Sequence, residues 1–199
     1  YTQKEDDVLY RLHRETHQKI LRPRMLSGHL QGQLLTFFSK MIQPEYILEI
    51  GTYTGYSAIC LARGLKKGGK LYTIDVNEEL EDFALSFIEK AGLKECVEMH
   101  VGDATKVVPS LKRKWDLVFI DADKENYINY YNLVFDSVKK GGFLIFDNVL
   151  WSGKVTQKVD LKDRETVTLV DLAKLLQEDE RVENVLLPVR DGLFMVRKK

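Results

Sequence analysis

Two short apolar segments of this sequence end in acidic residues that could hold a hard metal ion. Asp121 ends the segment 115–121, and Asp147 ends the segment 142–147, with Asn148 directly after it. If these segments are neighbouring strands, two carboxylates and an amide oxygen meet at one rim of a sheet. Such donors suit Mg²⁺, Mn²⁺ or Ca²⁺ better than zinc or copper. The structural alternative is a turn at Asp147-Asn148 and a helix cap at Asp121.

Lys124 lies three residues after Asp121, in the same predicted loop. Beside a divalent cation the ammonium form of a lysine is disfavoured, so Lys124 could accept a proton from a reacting hydroxyl. A single lysine in a loop is more often only solvated. The neighbouring acidic residues favour the catalytic interpretation.

A glycine-containing loop follows the apolar segment 46–50. It lacks the dinucleotide pattern GxGxxG, because Tyr53 stands where the second glycine would be, and it lacks the P-loop pattern. Asp75, twenty residues after Gly55, suits the two hydroxyls of a ribose. Glu49 would repel phosphate but favour a cationic ligand, and S-adenosylmethionine carries a sulfonium and no phosphate. Alternatively, Gly51 and Gly55 only shape a turn.

Strands and helices must alternate to position these residues. The periodicity predicts helices over 5–21, 30–42, 57–65, 78–91, 125–138 and 164–177, and strands over 46–50, 70–75, 97–101, 115–121, 142–147, 182–188 and 193–197. This order predicts an α/β fold: a mostly parallel sheet with helices on both faces and an antiparallel C-terminal hairpin turning at Asp191-Gly192. Ligands of such sheets bind beyond the carboxyl ends of the strands.

Composition narrows the class of protein. The 199 residues carry 30 Lys+Arg and 30 Asp+Glu, and 44% of them are hydrophobic. A formal charge of zero argues against a nucleic-acid binder. No apolar stretch approaches the roughly 20 residues that span a bilayer, and the first residues are too polar for a signal peptide. We expect a cytoplasmic protein without nucleic-acid or membrane partners.

Taken together, these segments resemble the cation-dependent class I O-methyltransferases, which include caffeoyl-CoA and catechol O-methyltransferases and bacterial relatives. The resemblance rests on residues 49–57, Asp75, 102–104, 120–127 and 147–151. It implies a Rossmann-like methyltransferase fold in one domain over 1–199, with helices of 1–43 helping to form the active-site cover and the dimer, and 44–199 binding S-adenosylmethionine. It also implies a divalent cation, Mg²⁺ above all, and a homodimer. The D-A-D-K form matches the plant and bacterial branch.

The resemblance also assigns roles to individual residues. Asp121, Asp147 and Asn148 match the metal ligands, and Lys124 matches the general base. The implied cofactor contacts are Met25, Ser27, Glu49, Gly51, Tyr53, Gly55, Ser57, Asp75, Asp103, Ala104 and Asp121. Lys124, Asn148 and Trp151 would contact the substrate. Core packing is the alternative for Met25 and for Trp151.

The function that follows is methyl transfer from S-adenosylmethionine to a hydroxyl of a small phenolic or catechol-like molecule. A phenol has a pKa near 10 and is a poor nucleophile at neutral pH, so a cation and a base would both be needed. Asp121 and Lys124 are the expected catalytic pair. The alternatives are an NAD(P)-dependent oxidoreductase and a catalytically idle binding protein on the same fold.

Overall fold

The computed structural model describes residues 1–199, in which helices and strands alternate. The helices are α1 (Asp7–Lys19), α2 (Gly28–Ile42), α3 (Tyr56–Ala62), α4 (Glu81–Lys90), α5 (Ala104–Leu111), α6 (Tyr127–Phe135) and α7 (Arg164–Glu178). The strands are β1 (Tyr46–Ile50), β2 (Lys70–Asp75), β3 (Val97–Val101), β4 (Trp115–Ile120), β5 (Val138–Asp147), β6 (Val182–Leu187) and β7 (Leu193–Lys198). The chain divides into two compact units, Tyr1–Val107 and Val108–Lys199.

The first unit contains three parallel strands in the order β3-β2-β1. β1 is short and buried from Ile47 to Ile50, as expected for a central strand covered on both faces. The carboxyl ends of the three strands are level, because the N–H of Gly51 donates to the carbonyl of Ile74 and the N–H of Gly102 donates to the carbonyl of Asp75. The loops that follow these strands therefore share one rim.

The second unit contains strands in the order β4-β5-β7-β6. β4 and β5 are parallel, and β7 is antiparallel to both of its neighbours, β5 and β6. Ile120 pairs with Phe146, so Asp121 and Asp147 follow the paired positions at the same rim. The mostly parallel sheet and the antiparallel C-terminal hairpin were both predicted, and both are confirmed.

Two stretches differ from the prediction. α5 was not predicted, since it is short and contains Pro109. The segment beginning at Val138 was predicted as the end of a helix but is the start of β5. α6 already ends at Phe135, and the N–H of Trp115 then donates to the carbonyl of Ser137 at 2.8 Å, which begins the pairing with β4. Local periodicity could not reveal this pairing. No helix has both the length and the apolar composition needed to cross a membrane.

A partly buried carboxylate network fixes the end of the second unit and makes its stability pH-dependent. Asp179 accepts hydrogen bonds from Arg181 Nε at 2.8 Å and from the Tyr131 hydroxyl at 2.7 Å. The Arg181 guanidinium, with the Tyr131 hydroxyl adding to its effect, holds the pKa of Asp179 well below its ordinary value.

We expect Asp179→Asn to lower the free energy of unfolding by about 2 kcal/mol at pH 7, the range for hydrogen bonds to charged groups. Because the folded-state pKa is lowered, this stabilisation is present above the unfolded pKa and is lost as the pH falls below about 4. Urea unfolding should show that the difference in free energy of unfolding between variant and wild type is smaller at pH 3 than at pH 7. Asp171→Asn, which breaks an exposed ion pair with Lys174, serves as the control with little effect. A gap that widens towards pH 3 would contradict the assignment.

Candidate active site

A buried polar network lies under the glycine loop of the first unit. Glu49 has 0% of its surface exposed, and its Oε2 accepts a hydrogen bond from Thr73 Oγ1 at 2.5 Å. Thr73 Oγ1 also lies 2.5 Å from Thr52 Oγ1. A carboxylate in such a buried place would interact strongly with a positively charged ligand, because little water screens it. The rim therefore favours a ligand with positive charge.

Asp75 and the glycine loop are directly joined. The backbone N–H of Tyr53 donates to Asp75 Oδ2 at 2.7 Å, and the N–H of Asn77 donates to Oδ1 at 2.9 Å. Gly51 and Gly55 have φ values of 105° and 85°, which only glycine adopts readily. Gly55 then precedes the first turn of α3. The loop is therefore fixed against the end of β2 by the Asp75 carboxylate.

Three side chains of this loop bind residues of the N-terminal segment. The Tyr53 hydroxyl donates to the carbonyl of Leu21 at 3.1 Å, and Thr16 Oγ1 donates to Thr54 Oγ1 at 3.3 Å. The Tyr56 hydroxyl donates to Glu5 at 2.5 Å. Sequence reasoning missed these contacts, because nothing in the local pattern marks partners 32 to 51 residues away. The N-terminal segment from Glu5 to Leu21 is therefore hydrogen-bonded to the loop and to the first residue of α3.

The remaining expected cofactor residues of the first unit differ in accessibility. Asp103 follows β3, accepts hydrogen bonds from the N–H and the hydroxyl of Thr105, and has a lowered pKa because of them. Ala104 and Ser57 are buried, and so is Ser27. Met25 is 55% exposed, so the core-packing alternative for it is wrong.

Lys124 is the central charged group of the second unit's rim. Only 5% of it is exposed, and its Nζ donates to Asp121 Oδ1 at 3.1 Å, to the carbonyl of Ala122 at 3.1 Å and to the Tyr127 hydroxyl at 2.6 Å. These three acceptors match the three N–H bonds of an ammonium group. The solvated-lysine alternative is therefore wrong, since this side chain is held in one place.

Tyr127 joins the two strand ends and was given no role from the sequence. It is fully buried, and its hydroxyl donates to the carbonyl of Asp147 at 2.9 Å, with the carbonyl of Ile120 at 3.2 Å. Burial raises the pKa of Tyr127 well above its ordinary value, and the charges of Asp121 and Asp147 add to this, so the hydroxyl stays protonated. The signals in the sequence are its place at the end of the segment 120–127, which carries the family resemblance, and its position three residues after Lys124, one helical turn away.

The donor chemistry of this rim fits a hard divalent cation. Asp147 is 2% exposed and its Oδ1 accepts the N–H of Asn148 at 2.7 Å, while the side chain of Asp121 is 20% exposed. Two carboxylates and the Asn148 amide supply oxygen ligands only. The chain has no group of three or more His, Cys, Asp or Glu residues able to hold a metal. A cation here would therefore depend on the amide oxygen and on further oxygen ligands.

Trp151 borders the same rim. Its ring centroid lies 5.8 Å from Lys124 Nζ, and its buried indole Nε1 has no hydrogen-bond partner. Trp151 has a φ of 48°, and the N–H of the next residue, Ser152, donates to Asp191 Oδ1 at 2.6 Å. The predicted hairpin turn at Asp191 and Gly192 thus holds the loop that carries the indole. Trp151 is half-buried beside Lys124.

Comparisons with known proteins agree on one family. A family model described as O-methyltransferase matches residues 1–199. The caffeoyl-CoA O-methyltransferase of Petroselinum crispum is 38% identical, with 84% of this chain and 74% of the relative covered. Caffeoyl-CoA O-methyltransferase 5 of Nicotiana tabacum is 37% identical, with 84% and 75% covered.

Solved structures show the same fold. The O-methyltransferase TomG from Streptomyces achromogenes, involved in tomaymycin synthesis and solved in complex with SAM, superposes with a TM-score of 0.92 at 29% identity, covering 98% of this chain and 91% of TomG. The O-methyltransferase from Bacillus cereus in complex with SAH gives 0.92 at 30% identity, covering 98% and 92%. The predicted Rossmann-like methyltransferase fold is confirmed.

Proposed function

Because the chain belongs to the O-methyltransferase family, and is an S-adenosylmethionine-dependent O-methyltransferase of the caffeoyl-CoA type, we propose that it methylates a hydroxyl of a small catechol-like or phenolic molecule with the help of a divalent cation. The observation that carries this proposal is the buried Lys124, held against Asp121 at the rim where Asp147 and Asn148 also lie. Family membership favours methyl transfer over the nicotinamide alternative.

The first unit would bind the methyl donor. Asp75 would accept the hydroxyls of the ribose, since the N–H groups of Tyr53 and Asn77 fix its carboxylate beside the glycine loop and each oxygen has a further lone pair. Glu49 keeps a negative potential that attracts the amino group and the sulfonium. Further donor contacts are proposed in this unit at Met25, Ser27, Gly51, Tyr53, Gly55, Ser57, Asp103 and Ala104, and in the second unit at Asp121.

The second unit would prepare the acceptor. Asp121, Asp147 and Asn148 would hold a cation such as Mg²⁺, which supplies positive charge that stabilises a phenolate over a phenol. As a neutral amine, with two N–H bonds and a free lone pair, Lys124 would take the phenolic proton on Nζ. Asn148 and the indole of Trp151 would orient the substrate ring, and a half-buried aromatic wall also excludes water from the reacting oxygen.

Methyl transfer to caffeic acid, its CoA ester and catechol, with Mg²⁺ and with EDTA, tests the proposal. We expect turnover that EDTA abolishes and that excess Mg²⁺ restores. Asp147→Asn should lose this turnover and keep donor binding in calorimetry, whereas Asp75→Ala should weaken donor binding about 10- to 100-fold, as expected for lost hydrogen bonds to a charged group. Asp116→Asn, on β4 but paired with Lys139 away from the rim, is the matched control.

Three results would contradict the proposal. Turnover that continues in EDTA would contradict the proposed need for a divalent cation. A tightly retained nicotinamide cofactor would favour an oxidoreductase, and failure to bind or to use the donor would favour the idle protein. The single domain over 1–199, the homodimer and the cytoplasmic location remain predictions, and light scattering of the pure protein tests the dimer.

A further inference from the structure

We propose that Tyr127 is a positioning residue that fixes the amine of Lys124 for proton transfer and ties it to the backbone ends of both strands of the rim. This inference rests on the proposed function, because it assigns Tyr127 a task in the same reaction. No contact of Tyr127 with the phenolic oxygen or with the methyl group is part of the proposal. Tyr127 acts through Lys124.

The hydroxyl of Tyr127 has a defined donor and a defined acceptor role. Its oxygen accepts an N–H of Lys124 at 2.6 Å, the shortest of the three Lys124 hydrogen bonds. Its own proton faces the carbonyls of Asp147 and Ile120. A hydroxyl that donates to backbone leaves its lone pairs for the lysine, so Lys124 has one side-chain partner that is itself hydrogen-bonded to the backbone of the rim.

The other two partners of Lys124 are less suited to this task. Asp121 is a proposed cation ligand, so its carboxylate has a second demand on it. The carbonyl of Ala122 belongs to the loop that carries Lys124 itself. Tyr127 is instead buried at the first turn of α6, and its ring lies 5.8 Å from that of Phe146 on β5. Packing holds the ring, and the carbonyls of Asp147 and Ile120 hold the hydroxyl. The Lys124 nitrogen that donates to this hydroxyl is therefore fixed relative to the rim.

Four carbons separate Nζ of a lysine from its Cα, and each adds a rotatable bond. Losing the Tyr127 hydroxyl would remove one of the three hydrogen bonds that restrict rotation about these bonds. The lysine itself would remain in the protein. Because a displacement of about 1 Å can cost 10²-fold in rate, the loss should appear in kcat and not in donor binding.

The test is Tyr127→Phe, which keeps the ring and removes the hydroxyl. We expect kcat for a catechol acceptor to fall about 10- to 100-fold, with the KM for the acceptor and the calorimetric Kd for S-adenosylmethionine within twofold of wild type. Tyr131→Phe is the matched control. Tyr131 lies on α6, is equally buried and donates to Asp179, far from Lys124 in the hydrogen-bond network. It should lose stability but keep kcat.

A double-mutant cycle separates positioning from general packing. In a Lys124→Met background, Tyr127→Phe should change the residual rate less than twofold, because its only route to the reaction is gone. An equal loss in both backgrounds would overturn the proposal, and so would a wild-type kcat in Tyr127→Phe. Absence of turnover in the wild type would instead count against the proposed function, so the two failures are distinguishable.

A second measurement covers the case in which Tyr127→Phe does not fold. In wild-type protein labelled with ¹⁵N-lysine, the side-chain signal of Lys124 is assigned by its loss in Lys124→Met. Side-chain hydrogens of Lys124 that exchange more slowly than those of Lys139 support a fixed amine. Exchange as fast as at Lys139, which is 35% exposed, would overturn it.

Discussion

Lys124→Met is expected to lower kcat for methyl transfer by about 10²- to 10⁴-fold, the contribution typical of a positioned general base. Methionine keeps the length and the apolar stem of the side chain but has no group that can take a proton. Lys124 is the only residue of the second unit's rim for which we propose this task. Its three hydrogen bonds hold the nitrogen in place before any substrate arrives.

Two comparisons make this prediction specific. Lys139→Met removes another ion-paired lysine, the partner of Asp116, and should leave kcat within twofold of wild type. Calorimetry should show that Lys124→Met binds S-adenosylmethionine as tightly as wild type, because the proposed donor contacts do not include this side chain. If Lys124→Met turned over a catechol at the wild-type rate, the base would have to be sought elsewhere, and the positioning role of Tyr127 would lose its basis.

The part of the fold that the sequence predicts best is the first three strands. β1, β2 and β3 have the predicted bounds, because each is short and has a glycine or an acid at or directly after its last residue. The same feature located the candidate site, since acidic residues at the ends of such strands must share a rim once the strands are parallel. Glu49, Asp75, Asp121 and Asp147 were found in this way.

What the sequence did not reveal depends on partners far apart in the chain. Tyr127 closes the segment 120–127 that carries the family resemblance, but no role could be assigned to it, because the carbonyl that it binds lies 20 residues away, at Asp147. Thr54 is likewise an unremarked loop residue until the contact with Thr16, 38 residues earlier, is seen. Side-chain hydrogen bonds of this kind leave no period in the sequence, whereas strands and helices do.

Gly64→Ala is expected to be the most destabilising of the small substitutions considered, by about 3 kcal/mol, the upper part of the range for overpacking. A Cβ at Gly64 would lie well under 3.0 Å from the backbone of Ser39 and Lys40 in the last turns of α2, a separation that real Cβ atoms essentially never show. Ser39 cannot retreat easily, because its hydroxyl donates to the carbonyl of Leu61 at 2.6 Å and its carbonyl accepts the N–H of Gln43 at 2.7 Å.

Thermal unfolding measures this effect, and a second glycine shows that it is steric. For a chain of this length, 3 kcal/mol corresponds to a fall in Tm of roughly 6–12 °C. Gly68 has a φ of 79° and nothing within 4 Å of an added Cβ, so Gly68→Ala carries only the backbone cost of about 1 kcal/mol. An equal fall in Tm for both variants would mean that α2 can move away from the added Cβ at little cost. The close approach of Gly64 to Ser39 would then not be important for stability. If the Tm of Gly64→Ala falls by the larger amount, the contact just after α3, between Gly64 and Ser39 of α2, has no room for a side chain. This contact then fixes the C-terminal end of α3, the helix that follows the glycine loop.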